Sequence, residues 1–443
     1  MIYSPLSIKY AMEMLAEGAS GDTKTQLDNV IGDYKANKYT NSKNMSFANA
    51  MFIKDTYKTK VKADYTQKLS TKYNAEVVFD SFKDAKTINK WVSDKTLKLI
   101  GNAFDDKTVK QHNFLLVNAL GIDMEWKKMI QPDNTSSEGW FRVTYNHEKY
   151  VQFIDIITED EDYNSIKFNN KSMNAKTVEI GASINKYDIV KTLGEDKIRS
   201  EVTAAYEKWK KEGNEDKDFN IDTYIKELNS NYKKIDVSTD FTFFDDTTVK
   251  AFAKDLKEYN GTTLQYIGIM PKTGTLEDYI KNIDVAKINS IVSGLKEVKL
   301  ENFKEGVVTK ITGQIPLFKF NYNLDLMNDL KKLEIKDVFD VNKANLSGIS
   351  TEKMFVDTVS HKANIEFSNH GIKASALTDG GGLGDESGGF QYDFDVPVET
   401  IDLTFDNPYL FLIRDKKTGE VWFTGTVYTP VEGKNIKKLV LNT

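Results

Sequence analysis

The 443-residue chain has four histidines, His112, His147, His361 and His370, and none is followed by another at the third or fourth position. A helical zinc pair needs that spacing, and the lack of cysteine removes thiolate ligands, thiolate nucleophiles and disulfides. No metal and no cofactor is therefore expected. The run Asp155-Ile-Ile-Thr-Glu-Asp-Glu-Asp162 lacks the glycine and spacing of a calcium loop and reads as a solvated acidic loop. Gly380-Gly-Gly-Leu-Gly384 is not followed by a lysine-bearing helix that would cradle phosphate, and no Gly-x-Ser-x-Gly elbow occurs. The sequence thus carries no motif for an enzyme. His361, a lone histidine on an apolar strand, reads by itself as a satisfied core residue.

One stretch fits two descriptions at once. Of the nineteen residues Gly371-Ile-Lys-Ala-Ser-Ala-Leu-Thr-Asp-Gly-Gly-Gly-Leu-Gly-Asp-Glu-Ser-Gly-Gly389, seven are glycine, the composition of an exposed loop. Its first half nevertheless alternates. Ile372, Ala374, Ala376, Thr378 and Gly380 would point one way in an extended chain, and Lys373, Ser375, Leu377 and Asp379 the other. That period of two belongs to a half-buried strand. The stretch follows Val359-Ser-His-Lys-Ala-Asn-Ile-Glu-Phe367, which reads as a buried strand.

Composition bounds the rest. A 40% hydrophobic share with 12% aromatics supports one large domain or two to three ordinary ones. A net charge of −6, with lysines and acids scattered, gives no case for a nucleic-acid partner. No run approaches the roughly 18 apolar residues of a membrane span, and Met1-Ile-Tyr-Ser-Pro is not a secretory signal.

Several elements are legible in order. Ser4-Pro5 with Ile8, Ala11, Met12 and Leu15 predicts a capped helix stopping near Gly18, and Gly18 to Leu27 starts a second. Phe47 to Ile53 predicts a strand, Asp64 to Tyr73 a helix and Ile88 to Thr96 another. Phe114-Leu-Leu-Val-Asn-Ala-Leu120 predicts a buried central strand closed by Trp126. Gly261 to Pro271 and Ile315-Pro-Leu-Phe-Lys-Phe320 each predict a strand, and Asp325 to Leu333 a helix. Between them, Val202, Ala205, Tyr206 and Trp209 form a helical stripe ending at Gly213, and Ile221, Tyr224, Ile225 and Leu228 form a second. Together they predict a helical hairpin on the surface.

Tyr3-Ser-Pro-Leu-Ser-Ile8, Gly18-Ala-x-Gly-x-Thr-x-x-Gln-Leu27, Ile88-Asn-x-Trp-Val92, Leu116-Val-Asn-Ala119 with Trp126, His361-Lys-Ala363, and Phe405-x-x-Pro-Tyr-Leu-Phe-x-Ile-Arg-Asp415 continuing to Phe423-x-Gly-x-Val-x-x-Pro430 resemble the serpin family. The matches occur in the family's order and cover nearly the whole chain outside one middle segment. The resemblance implies an α+β serpin fold with a large central mixed β-sheet, two further sheets, about eight or nine helices and an exposed reactive-centre loop. It implies a single domain over 1–443, with a family-atypical helical insertion at 158–237 and the loop at 371–398. The family's first helix precedes the Ser-Pro motif and is missing here, which reads as a truncated start. The lysine-, asparagine- and tyrosine-rich, cysteine-free composition looks bacterial.

The resemblance also implies a mechanism. A serine or cysteine protease attacks the loop and forms an acyl-enzyme, and the freed loop inserts into the main sheet as a strand, trapping the protease. Gly371, Ile372, Lys373, Ala374, Ser375, Ala376 and Thr378 would be the hinge. Ser4, Ser7, Asn118 and His361, with Trp126 at the top, would control where the sheet opens, His361 bonding Asn118. Counting from Gly371 puts the scissile bond at Asp385–Glu386, with Leu383, Gly384 and Ser387 as neighbouring candidates. An acidic residue before the bond selects a protease with a basic pocket. The partner is then a target protease rather than a nucleic acid or membrane, met by a monomer outside the cell or at its surface. Two departures stand out: the family usually has glutamate where Asn369 stands and a small hydroxyl residue where Ile372 stands. They leave a second reading, a non-inhibitory binding, carrier or chaperone-like relative. The loop is also long, with the extra length either at Gly388 to Val398 or before the bond.

Overall fold

The computed structural model describes residues 2–35, 37–128, 164–169, 171–175, 177–356, 359–367, 371–372, 390, 392 and 394–430. After β1 (Ile2–Tyr3), Ser4 caps α1 (Pro5–Ala16), its Oγ accepting from the Ser7 amide at 3.1 Å, and Pro5 sits in the first turn where its missing N–H is not needed. Then come α2 (Gly21–Ile31), β2 (Met45–Lys54), α3 (Ala63–Tyr73), β3 (Ala75–Asp80), α4 (Lys86–Lys95), α5 (Asp106–Lys110), β4 (Phe114–Ile122) and β5 (Met124–Glu125). Three more strands, β6 (Asn164–Phe168), β7 (Lys171–Ala175) and β8 (Thr177–Asn185), lead into α6 (Ile189–Leu193), α7 (Glu195–Lys211) and α8 (Ile221–Ser230). The chain continues through β9 (Lys234–Val237), β10 (Thr242–Asp245), β11 (Val249–Asp255), β12 (Leu264–Pro271), α9 (Leu276–Asn282), α10 (Val285–Ser293) and β13 (Lys296–Glu297). It ends with β14 (Val308–Pro316), β15 (Phe318–Asp325), α11 (Met327–Lys332), β16 (Ser360–Phe367), β17 (Gly371–Ile372), β18 (Val398–Asp402), β19 (Tyr409–Asp415) and β20 (Val421–Val427).

Seven strands form one sheet in the order β1-β20-β19-β12-β11-β10-β13, and four form another in the order β18-β14-β8-β9. The central sheet comes in two parts, β3-β2-β4 and β15-β16-β17-β5. It is mixed, because β2 pairs parallel with β3 and antiparallel with β4. β12 is buried along its whole length, since the main core covers one face and the cluster holding Ile291 of α10 covers the other. Such a strand requires a mostly apolar sequence, and its one buried polar residue, Gln265, is hydrogen-bonded to Asp255 and Arg414.

Where the seven-stranded and central sheets meet, their side chains interlock as aromatic rings. Phe318 lies 5.5 Å from Phe367 and 4.8 Å from Phe411, and Tyr266 lies 4.7 Å from Phe367. Offset and tilted rings at these separations add attraction to their burial.

Two sequence expectations are redrawn. Ile315 to Phe320 is not one strand: β14 ends at Pro316, whose carbonyl accepts from the Tyr409 hydroxyl at 3.2 Å, and β15 starts at Phe318 in a different sheet. The residue before a proline and the break at Leu317 let the chain change sheets while apolar character continues, so composition hides the corner. Within 158–237 the helices occupy only 189–230; 164–168, 171–175, 177–185 and 234–237 are strands, and 158–163 lie outside the described residues. Eleven α-helices occur among the described residues, eight without α6 to α8.

Phe318→Ala should lower stability by roughly 3–5 kcal/mol, because it opens a cavity between two sheets. Urea unfolding followed by tryptophan fluorescence measures this; a shift below 1 kcal/mol would mean that the ring interlock does not join the sheets.

Candidate functional site

β4 pairs with β2 on one edge, and β16 pairs with β15. One residue beyond β4, the chain forms β5, and β17 lies between β5 and β16. Gly371 is paired with Glu125, and Ile372 with Met124 on one side and Phe367 on the other. The two parts of the central sheet are therefore joined at one end by β17. Further along, no ladder joins β4 to β16 among the described residues. Each keeps an edge without a strand partner among the described residues, and unpaired N–H and C=O groups along an edge are a template for another strand.

The seal is tight. Ile372 is fully buried in the main core. A Cβ on Gly371 would come within 2.1 Å of the Met124 carbonyl oxygen and 2.7 Å of the Glu125 Cα. The backbone of Gly371 is not in the left-handed region, so glycine is needed here for close approach, rather than for the backbone freedom expected of a hinge. Trp126, buried at the end of β5, packs edge-on against Phe367 at 5.5 Å and Tyr266 at 6.1 Å. β5 is fixed from behind: the Lys257 amide donates to the Glu125 carbonyl at 2.8 Å and the Lys127 amide to that of Asp255 at 2.9 Å. The Lys257 ammonium also pairs with the Glu125 carboxylate, which holds its pKa above the ordinary lysine value.

The residues expected to govern opening sit on the elements beside the seal and the free edges. Ser4 and Ser7 are buried at the start of α1, which packs on β4, while the preceding β1 lies beside β16. Asn118 is in β4, opposite Asn49 of β2, and its Nδ2 donates to the Asn49 Oδ1 at 2.5 Å. Asn118 Oδ1 is buried with no hydrogen-bond partner among the described residues. His361 is in β16, its backbone paired with Leu324; its side chain lies outside the described residues. Asn49, buried in β2, was not singled out from the sequence. The signal was there, since asparagine is depleted in apolar strands and Phe47 to Ile53 is otherwise apolar.

Lys373, Ala374, Ser375, Ala376 and Thr378 of the hinge lie outside the described residues, as do Leu383, Gly384, Asp385, Glu386 and Ser387 around the expected bond. So do His147, His370, Asn369 and the acidic run 155–162. Among the described residues no group of His, Cys, Asp or Glu could hold a metal ion, and no helix is long and apolar enough to cross a membrane.

A sequence model of the family described as "Serpin (serine protease inhibitor)" matches residues 1–181 and 204–430. Mouse neuroserpin is 24% identical over 460 aligned residues, covering 97% of this chain and 86% of that protein. An uncharacterized serpin-like protein of Methanosarcina acetivorans is 23% identical, covering 97% of this chain and 81% of its own. Iripin-2 of Ixodes ricinus is 29% identical, but over 44% of this chain and 43% of that protein. Among solved structures, the thermophilic serpin tengpin in its native state superposes with a TM-score of 0.63 at 18% identity, covering 97% of this chain and 88% of that one. A thyroxine-binding globulin in complex with thyroxine superposes with a TM-score of 0.63 at 15% identity, covering 98% and 93%. At these identities the superpositions speak for the fold.

Gly371→Ala should drive β17 out of the sheet, because the added methyl overlaps the Met124 carbonyl. Amide exchange at Met124–Glu125 and Gly371–Ile372 should quicken by at least about tenfold while the seven-stranded sheet stays protected. Unchanged protection at those four residues would contradict the close-approach account.

Proposed function

This chain belongs to the serpin family, and we propose that it inhibits a protease as a suicide substrate. The observation that carries the reading is the seating of Gly371 and Ile372 as a strand between β5 and β16, beside edges with no further strand partner among the described residues. A protease nucleophile attacks the Asp385 carbonyl, the amine of Glu386 leaves, and an ester or thioester joins the loop to the enzyme. The cut frees the chain from Gly371 to Asp385 to continue the strand already begun. Ala374 and Ala376 are small enough to follow Ile372 into the sheet, and Thr378 comes next on the same face. Lys373, Ser375 and Asp379 fall on the opposite face. Main-chain hydrogen bonds and alternate side-chain burial favour the inserted state, and the tethered protease is drawn along and distorted.

The target is a serine or cysteine protease cleaving after an acidic residue, since a carboxylate before the bond needs a cationic pocket. The inhibitor acts as a monomer at the cell surface or outside it. In this reading residues 371–398 are the reactive loop of one domain spanning 1–443, and the polar segment within 158–237 is a decoration particular to this chain. The interruption of the family match at 182–203 supports the last point.

A second reading, a non-inhibitory carrier or binding protein, draws on Ile372. An apolar anchor fully buried in the core can hold the hinge in place as well as start its movement. The fold relative solved with thyroxine binds that small molecule by its description.

A panel of serine and cysteine proteases should include at least one that forms a complex surviving SDS. The C-terminal fragment released by denaturation should begin at Glu386 by mass spectrometry. Cleavage anywhere from Leu383 to Ser387 should raise the melting temperature by more than about 10 °C; at ~2–4 °C per kcal/mol or less for a chain this long, that requires several kcal/mol of new contacts. A higher melting point without any covalent complex selects the carrier reading. No rise at all removes strand insertion.

A further inference from the structure

Helices α6, α7 and α8 have a small core of their own, separate from the main one: Ile189, Ile198, Val202 and Ile225 are buried in it. Part of that core is supplied from far along the chain. Phe390, Phe394 and Val396 are buried in the same cluster. The Phe390 ring is enclosed by Tyr206 at 5.0 Å, Phe219 at 5.0 Å and Trp209 at 5.5 Å, and Tyr206 stacks on Phe219 at 4.1 Å behind it.

Polar contacts fix the same segment. The Phe390 amide donates to Asp216 Oδ2 at 2.8 Å. The Tyr224 hydroxyl accepts from the Tyr392 amide at 3.2 Å and donates to the Tyr392 carbonyl at 3.1 Å, satisfying both backbone groups as a neighbouring strand would. The Tyr392 hydroxyl reaches Glu201 Oε2 at 3.4 Å. The Pro397 carbonyl accepts from the Val308 amide at 2.9 Å, and β18 then runs parallel to β14 from Val398. Among the described residues this segment is thus held from Phe390 onward, before the strand is reached.

We infer that α6 to α8 are the distal anchor of the reactive loop. Phe390 and Tyr392, held by Asp216, Tyr224 and the aromatic cage, are positioning residues that keep the chain from Phe390 to the strand away from a bound protease and so limit which bonds a target can attack. The inference rests on the reading of 371–398 as the reactive loop. It also accounts for the extra length of that loop: residues 390–397 are taken up by the helices, and Asp385–Glu386 stays in the segment between the two fixed ends, Ile372 and Phe390. A protease docking on the loop meets the helical unit beside the C-terminal side of its cleavage site, which makes α7 and α8 neighbours of the bound enzyme.

The test is limited digestion of the intact chain by subtilisin, a broad-specificity serine protease, with every cut mapped by mass spectrometry and timed. Bonds within 373–389 should be cut at least about tenfold faster than bonds within 390–397, because cleavage follows the population of the open form. Tyr224→Phe removes the hydroxyl that satisfies Tyr392 and keeps the ring; Phe390→Ser empties the cage. Each should bring cleavage of 390–396 to within about threefold of the loop rate, with the melting temperature of the uncut protein held within a few degrees. Phe390→Leu, which refills the cage, should restore protection, a result that general loosening would not give. Equal rates across 373–397 in the unaltered chain overturn the anchor, and so does an unchanged map in both Tyr224→Phe and Phe390→Ser. A flat melting response to loop cleavage with the predicted map removes strand insertion and leaves the anchor. A higher melting point after cleavage with an unchanged map does the reverse.

Discussion

The backbone pairing of Gly371 and Ile372 between Met124–Glu125 and Phe367 is the contact on which the other features depend. It joins the two parts of the central sheet at one end. Beyond it β4 and β16 each keep an edge without a strand partner among the described residues. Main-chain groups on such edges gain more from another strand than from solvent, because pairing also buries alternate side chains. Glycine at 371 is required because two backbones meet there with no space for a side chain, while isoleucine at 372 secures the plug by burial.

The packing around the seal divides the sheet along the same line. β15 and β16 belong to the aromatic interlock with the seven-stranded sheet, through Phe318, Phe367, Tyr266 and Phe411. β2 and β4 carry a second small core on their other face, where Phe52 meets Trp91 of α4 at 5.7 Å and Ala50 and Val117 are buried. Their own polar tie, Asn49 to Asn118, lies within that half and not across the division. Packed cores move as bodies and not by continuous deformation. In the proposed mechanism the sheet parts between the two halves, with α1 and its buried serines beside both.

The helical unit bears on the other end of the same loop. Its apolar stripes do not face the main core; they close on each other and on Phe390, Phe394 and Val396. The segment from Phe390 to the strand is thereby ordered. The order comes from main-chain satisfaction by side chains, Asp216 for Phe390 and Tyr224 for Tyr392.

Local chemistry by itself determined many of the elements. The Ser4-Pro5 cap, the apolar run of β4, the helix ending at Tyr73 and the stripes Val202 to Trp209 and Ile221 to Leu228 were all readable, because caps and hydrophobic periods are properties of neighbouring residues. The ordered set of motifs from Tyr3 to Pro430 identified the family and hence the fold. The corner at Leu317 was not readable, since an apolar run looks alike in either sheet and only pairing partners distinguish them. Nor was Asn49 as the partner of Asn118, because strand register is set by contacts distant in sequence. The steric need for Gly371 and the docking of Phe390 on α7 and α8 also belong to the tertiary structure. Each depends on a backbone or ring brought from more than a hundred residues away along the chain, a distance at which spacing in the sequence carries no signal.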